Sequence, residues 1–384
     1  MAIDKKIIAI AAVALIVIAG IATAIVISNN DSSSEGYTIV DGSGKEIKVS
    51  GPVKSVVTVN TNVPKAMKIL GLDDYVTGIS NYSSSYDAKL WEMFHPIFKN
   101  AKHMSVTKNM TAEEISKLGV KYVIAPVSSM TVSPDKEKAY AELGITVVKL
   151  DCFGDKMDED LKTLLKLCLG ENVETNDAYE KYVKMSNDVI NTVITKASSS
   201  STSDKTFLFY MSGKGFYNKT SSLSEITEKI YGKNALNSIP NLDLNGVTNS
   251  AGSDGIKEQV IALDAKTPVD KLFVRGSSKV VDAASAKAFW SDDKNGLIKQ
   301  SEAYKDLNAV KSNEVYVLNT NVMSGPLTYV GYVLIAEASG IDTGYDVSKL
   351  ISDYNKAYGF DEATTGMLFG TSDNCNTFKE IIIE

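Results

Sequence analysis

The chain has 384 residues and a net charge of −7, with 47 Asp and Glu against 40 Lys and Arg and no basic cluster, which argues against nucleic acid as a partner. Two histidines, His95 and His103, and three scattered cysteines, Cys152, Cys168 and Cys375, exclude a multi-imidazole metal centre and a disulfide framework. The apolar share is that of an ordinary globular protein, and the length suits two domains behind a short N-terminal segment.

Residues 1–27 carry Lys5 and Lys6 and then an unbroken apolar or small run from Ile7 to Ile27. A run of roughly 20 such residues spans a bilayer as a helix, and the leading lysines orient the remainder outward. Ala22-Thr23-Ala24 also resembles a signal-cleavage site, so a secreted form is the alternative. With no cysteine near this segment, a bacterial-type lipid anchor on a cysteine is not expected. Residues 28–36 are polar and aperiodic and read as a tether.

From Tyr37 to Val49 the chain reads as a β-hairpin turning at Asp41-Gly42-Ser43-Gly44. A strand at Ser55–Val59 follows, then a helix over Lys65–Leu70 with Pro64 in its first turn and Gly71 at its end. Strands at Val76–Ile79, Tyr122–Ala125 and Thr146–Leu150 continue the alternation. Strand and helix in turn at this spacing predict a parallel sheet covered by helices, an α/β lobe over residues 37–174. Cys168, in an apolar stretch, reads as a small buried side chain.

Residues 175–198 change character. Apolar positions at Tyr182, Val183, Val189, Ile190, Val193 and Ile194 recur with the helical period and predict one amphipathic helix of about six turns. A serine-rich loop ends it, and a second α/β lobe occupies residues 199–384. Its expected elements are a strand at Phe207–Tyr210, a helix at Ser224–Tyr231, strands at Lys271–Val274 and Glu314–Leu318, and a late helix near Tyr329–Ala338.

One unit occurs in both lobes. Glu113 to Leu118 leads into the strand Tyr122–Ile124, and Glu258 to Leu263 leads through the turn Asp264–Pro268 into the strand Leu272–Val274. Each reads as a short helix opening on a Glu. A carboxylate at the same place in two lobes suggests a molecule gripped from both sides, although first-turn acids are also what any helix attracts.

These pieces, in this order, resemble the substrate-binding proteins of ABC transporters for ferric siderophores, haem and cobalamin. The likeness is carried by the opening hairpin with Gly51–Val57, by Thr111–Ile124, by Leu143–Asp151 and by Leu307–Leu318, and it covers about Tyr37 to Gly359. Two departures are Val120-Lys121, where the family usually has Pro-Asp, and the longer turn at Asp264–Pro268. The resemblance implies two Rossmann-like lobes joined by a single long helix, the class III periplasmic-binding-protein architecture, preceded here by a transmembrane helix. It implies a monomeric, non-enzymatic receptor with no cofactor, which hands a small-molecule metal chelate to an ABC permease with its ATPase. It also places transporter-docking carboxylates at Glu113 and Glu258, with Glu114 the neighbour that could exchange for Glu113. A corrinoid or haem receptor is the alternative within the family, and a surface sensor or adhesin is the alternative outside it. No G-x-S-x-G elbow, dinucleotide fingerprint or phosphate loop supports an enzyme.

In α/β lobes ligands gather beyond the C-terminal ends of the strands. The loops expected there supply Asn60, Asn62, Tyr82, Tyr86, Ser128, Tyr210, Lys214, Tyr217, Arg275 and Asn319 as ligand-binding residues. Arg275 leads this set. It is the only arginine of the chain, it directly follows a strand, and a guanidinium is a planar, always charged fork for an anionic group. Its competing role is a surface residue paired with a carboxylate such as Asp282. Asn81, Asn109 and Asn218 lie in N-glycosylation sequons.

Overall fold

The computed structural model describes residues 36–80, 97–98, 101, 103–105, 110–127, 132–170, 176–211, 215–217, 221–239, 254–276, 302–319, 321–361 and 378–380. The apolar run Ile7–Ile27 and the tether as far as Glu35 lie outside them. Among the described residues no helix is long and apolar enough to cross a membrane.

The chain opens with the antiparallel hairpin β1 (Tyr37–Val40) and β2 (Glu46–Val49), alternately buried and exposed as a half-buried ribbon must be. Asp41 fixes its turn. One carboxylate oxygen accepts from the Ser43 and Lys45 N–H groups, and the other accepts from the Lys149 N–H at 3.1 Å. The hairpin is thereby tied to the first sheet.

That sheet is parallel throughout, in the order β5 (His103–Ser105), β4 (Val76–Ser80), β3 (Val56–Thr58), β6 (Tyr122–Ala125), β7 (Thr146–Lys149). Helices α1 (Asn62–Ile69), α2 (Ala112–Lys117), α3 (Pro134–Glu142) and α4 (Met157–Leu169) accompany it. Strand order runs outward from β3 to β4 and β5 on one side and to β6 and β7 on the other, so direction switches between β3 and β6.

Helix α5 (Asp177–Ser198) has 22 residues and starts on Asn176, whose side chain accepts from the Tyr179 N–H at 2.9 Å. It buries Tyr182, Val189 and Val193, the face that the periodicity predicts.

The second sheet runs β10 (Lys233–Asn234), β8 (Thr206–Met211), β11 (Lys271–Arg275), β12 (Val315–Leu318), β13 (Phe378–Glu380), with the short β9 (Gly215–Phe216) beside β8. β10, β8, β11 and β12 are parallel, while β13 and β9 are antiparallel to their neighbours. Here direction switches between β8 and β11. The helices of this half are α6 (Ser222–Ile230), α7 (Asp254–Lys266), α8 (Asn308–Lys311), α9 (Thr328–Ala338) and α10 (Val347–Tyr358). Almost every residue of α9 is buried, which suits a helix covered on all sides.

The central strands of both sheets are buried on both faces, and their side chains alternate between two cores. Val57, Val123 and Val147 face one core of the first sheet, and Leu208, Leu272, Val274 and Val317 face one core of the second. Val56, Ile124, Val148, Phe207, Phe209, Phe273 and Leu318 join a single core that contains residues of both sheets and of α5, α9 and α10. The connecting helix is therefore packed into a core shared by the two halves.

One expectation is corrected here. The second repeat does not open on its Glu and does not turn at Asp264. Helix α7 begins at Asp254 and runs to Lys266, which places Glu258 a turn inside it. No glycine or proline interrupts Leu263-Asp264-Ala265-Lys266, so the helix continues until Pro268.

Candidate functional site

The first switch point lies at the C-terminal ends of β3 and β6. β3 delivers Asn60, whose Oδ1 accepts the Val63 N–H at 2.8 Å and so closes the start of α1. Asn62 lies within α1, and its Nδ2 reaches the Asp151 carbonyl at 3.4 Å. Asp151 in turn accepts the Val127 N–H, beyond β6, at 3.0 Å. Behind them Asp160 accepts the N–H groups of Asp151 and Cys152 through one oxygen, at 3.0 and 2.7 Å. Burial raises both carboxyls. That of Asp160 is pushed up to about 6 in spite of its backbone donors. Cys152 and Cys168 are free thiols, both buried. Cys152 sits in a left-handed conformation, φ 47°, which aims its N–H at Asp160.

The second switch point carries Arg275. The ladder places it opposite Met211 on β8 and Leu318 on β12. Its Nη1 donates to the Tyr217 hydroxyl at 2.9 Å, so two residues expected separately form one unit. Tyr217 follows β9 and is 6% exposed. Its carbonyl accepts from Nδ2 of Asn234, a 1% exposed residue of β10 that the sequence did not single out. Asn319, beyond β12, is fully buried, and its Oδ1 accepts the Asn321 N–H at 2.8 Å.

Tyr210 requires a correction. Alternation along β8 turns it away from Phe209 and into the core of the opposite face, where it is 1% exposed and packs edge-on against Phe216. It is a core ring rather than a cleft residue. Tyr82, Tyr86, Ser128 and Lys214, and with them His95, Cys375 and the sequons at Asn81, Asn109 and Asn218, lie outside the described residues.

The C-terminal edges of the two sheets meet. Gly325, beyond β12, has φ +75°, and a Cβ there would stand 2.9 Å from Asn62 Oδ1. Tyr182 of α5 donates to the neighbouring Pro326 carbonyl at 2.8 Å. Gly154, beyond β7, lies against Ser222 at the start of α6, with 3.1 Å between a Cβ there and Ser222 Cβ. Beside this seam a cavity of about 230 Å³ runs along α5, lined by Tyr182, Ser186, Asp155, Lys229, Tyr329 and Tyr332 among others. Among the described residues, none of the expected ligand residues lines it.

The two expected docking carboxylates are exposed, one in each half. At α2 the capping box separates two neighbours: Thr111 Oγ1 accepts the Glu114 N–H and Glu114 Oε2 accepts the Thr111 N–H, at 3.2 and 2.7 Å. Glu114 is thus engaged in the cap, while Glu113 points to solvent.

No protein-family model and no curated protein sequence matches this chain. Solved structures do. A TroA-like periplasmic binding protein, FepB, from Veillonella parvula matches at 14% identity over 83% of this chain and 95% of its own, with a TM-score of 0.60. A structure described as an ABC-type Fe3+-hydroxamate transport system, from Saccharomonospora viridis, matches at 16% identity over 80% of this chain and 100% of its own, TM-score 0.56. The molybdate periplasmic binding protein MolA of Haemophilus influenzae, solved with molybdate, matches at 14% identity over 84% and 97%, TM-score 0.60. At these identities the likeness establishes the fold: this chain has the two-sheet α/β periplasmic-binding-protein fold of the TroA-like type.

Proposed function

We propose that this chain is an extracytoplasmic solute receptor that captures an iron chelate between its two halves and presents it to an ABC importer. The observation that carries this reading is the placement of the chain's one guanidinium at the switch point of the second sheet, against the Tyr217 hydroxyl. The structures that share the fold are described as binding proteins and a transport system, which supports a receptor over an enzyme. The ligand-facing residues in this reading are Arg275 and Asn62, together with Tyr82, Tyr86, Ser128 and Lys214, which follow β4, β6 and β8 in the sequence. Asn60 and Asn319 shape those loops from beneath. Residues 7–27 tether the receptor to the membrane. Glu113 and Glu258 meet arginines of the permease, where two separated charges fix a pose and speed encounter more than they add affinity. Native mass spectrometry of the protein purified from its own cells tests the reading. A retained small molecule whose isotope pattern contains iron is the expected result, and bare protein from iron-replete and iron-limited cells alike overturns it.

A further inference from the structure

The loop that leaves β7 reaches from the first half onto the second. One helical turn over Gly154–Lys156 follows Phe153. Gly154 takes φ +58°, where a side chain is strained, and a Cβ there would stand 3.1 Å from the Ser222 Cβ at the start of α6. One residue on, Asp155 Oδ2 accepts from Lys229 Nζ of α6 at 2.5 Å. Its other oxygen faces the Tyr332 hydroxyl of α9 at 3.5 Å. Burial first, and then the Asp155 charge, push the Tyr332 hydroxyl above its ordinary value, so it keeps its proton and faces the carboxylate as a donor. A carboxylate of the first half thus meets two helices of the second.

Behind this contact the packing is incomplete. Asp155, Lys229 and Tyr332 line the cavity of about 230 Å³, and so do Tyr182 and Ser186 of α5, the helix that joins the halves. Protein interiors are packed to the density of organic crystals, and a void removes contacts that would resist a shift. This void touches both halves and the connecting helix, which is where a change of angle between the halves has to be taken up. The side chains of Lys229 and Asp155 are 38% and 53% exposed, so their pair contributes modestly and is screened by salt. That suits a link that parts as well as holds.

We propose that residues 153–156 form a clasp across this joint: the Asp155–Lys229 pair, with the Tyr332 hydroxyl beside it, holds the two halves at their resting angle, and the void along α5 lets the joint yield when the pair parts. The inference goes beyond the receptor reading, because the angle between the halves is a property of the protein without ligand.

The test follows that angle in the full chain by single-molecule energy transfer. Dyes sit on exposed positions of α2 and α7, through Lys117→Cys and Lys266→Cys, with Cys375→Ser; the remaining thiols, Cys152 and Cys168, are buried. The labelled chain should show one dominant distance and a minor second one. Asp155→Asn and Lys229→Met should each raise the minor fraction about two- to fivefold, the scale of a partly exposed ion pair, with unchanged thermal melts. Molar salt should raise it in the labelled parent and leave Asp155→Asn unmoved. Ser186→Leu, which fills the void, should lower the raised fraction of Asp155→Asn. Parental fractions in both charge variants overturn the clasp, as does an equal response to salt in the parent and in Asp155→Asn. An unchanged fraction on adding Ser186→Leu removes the void from the device. No ligand is added, so these outcomes stand whether or not the protein captures an iron chelate.

Discussion

The helix that carries Glu113 and the helix that carries Glu258 hold equivalent places beside their sheets, yet they are fixed by different means. α2 has six residues and is defined by its own capping box, Thr111 with Glu114. α7 has thirteen and is fixed from its far end, where buried Asp264 accepts the Val269 N–H at 2.7 Å and the Asn308 N–H at 2.9 Å. The first arrangement is local in sequence. The second ties α7, β11 and α8 together across 44 residues. A carboxylate can be offered to a partner from either platform, but the two platforms should fail differently when cut.

The largest difference is expected at Asp264. Asp264→Ala leaves two backbone N–H groups of the second half without their acceptor, a loss of about 3 kcal/mol for bonds to a buried charge. Denaturant unfolding followed by circular dichroism measures it, and a loss below about 1 kcal/mol would show that the second platform is not held from this end.

A second effect has the opposite sign and belongs to the first half. A carboxyl raised in the folded protein adds stability below its ordinary value of 3.8 and loses that contribution as pH rises through about 6. Ionised Asp160 therefore weakens the fold at neutral pH. Asp160→Asn keeps an oxygen for the N–H groups of Asp151 and Cys152 and removes the charge. It should be more stable than the wild type by about 2 kcal/mol at pH 7.5, with the gap closing by pH 4. Parallel melts across that range check it, and a pH-independent gap would place the effect elsewhere.

Thr111→Ala should cost about 1 kcal/mol, the ordinary value of a lost N-cap, and should be partly restored by Thr111→Ser. A cost near that of Asp264→Ala would erase the contrast between the platforms.

The smallest effect on stability is expected at the carboxylates themselves. Glu113→Ala and Glu258→Ala expose no buried group and should each move stability by no more than about 0.5 kcal/mol. Transport is where they should matter: uptake of labelled iron in cells should fall with either change and vanish with both. Full uptake by the double variant would remove the docking role from both helices.

Much of this architecture could be read along the chain. The strands β3, β4, β6, β7, β8, β11 and β12, the long helix over 176–196 and the hairpin at Asp41–Gly44 follow from period, turn chemistry and caps, which act within a few residues, whereas the short or edge strands β5, β9, β10 and β13 carry no such pattern. The exposed Glu113 and the strand-end place of Arg275 were legible for the same reason. α7 was misjudged because a Pro at 268 marks a helix end only approximately, and Asp264, the residue that finishes the helix, finds its partners at Val269 and Asn308.

What the chain could not declare by itself is which residues stand together. Tyr210 and Arg275 both belong to strands buried on two sides, where an apolar run carries no mark of which face holds which core. The tertiary structure sent Tyr210 to the core of Phe216 and Tyr304, and Arg275 to the Phe273 side of β11, toward Tyr217. Strand order, which no local pattern encodes, put β11 beside β8 and so made the end of β11 a switch point. Amino-acid type and spacing determined that this protein would be two α/β halves on one helix, because those preferences are local. The union of Arg275, Tyr217 and Asn234 came only with folding, because each arrives on a different strand or strand end and is held there by contacts distant in sequence.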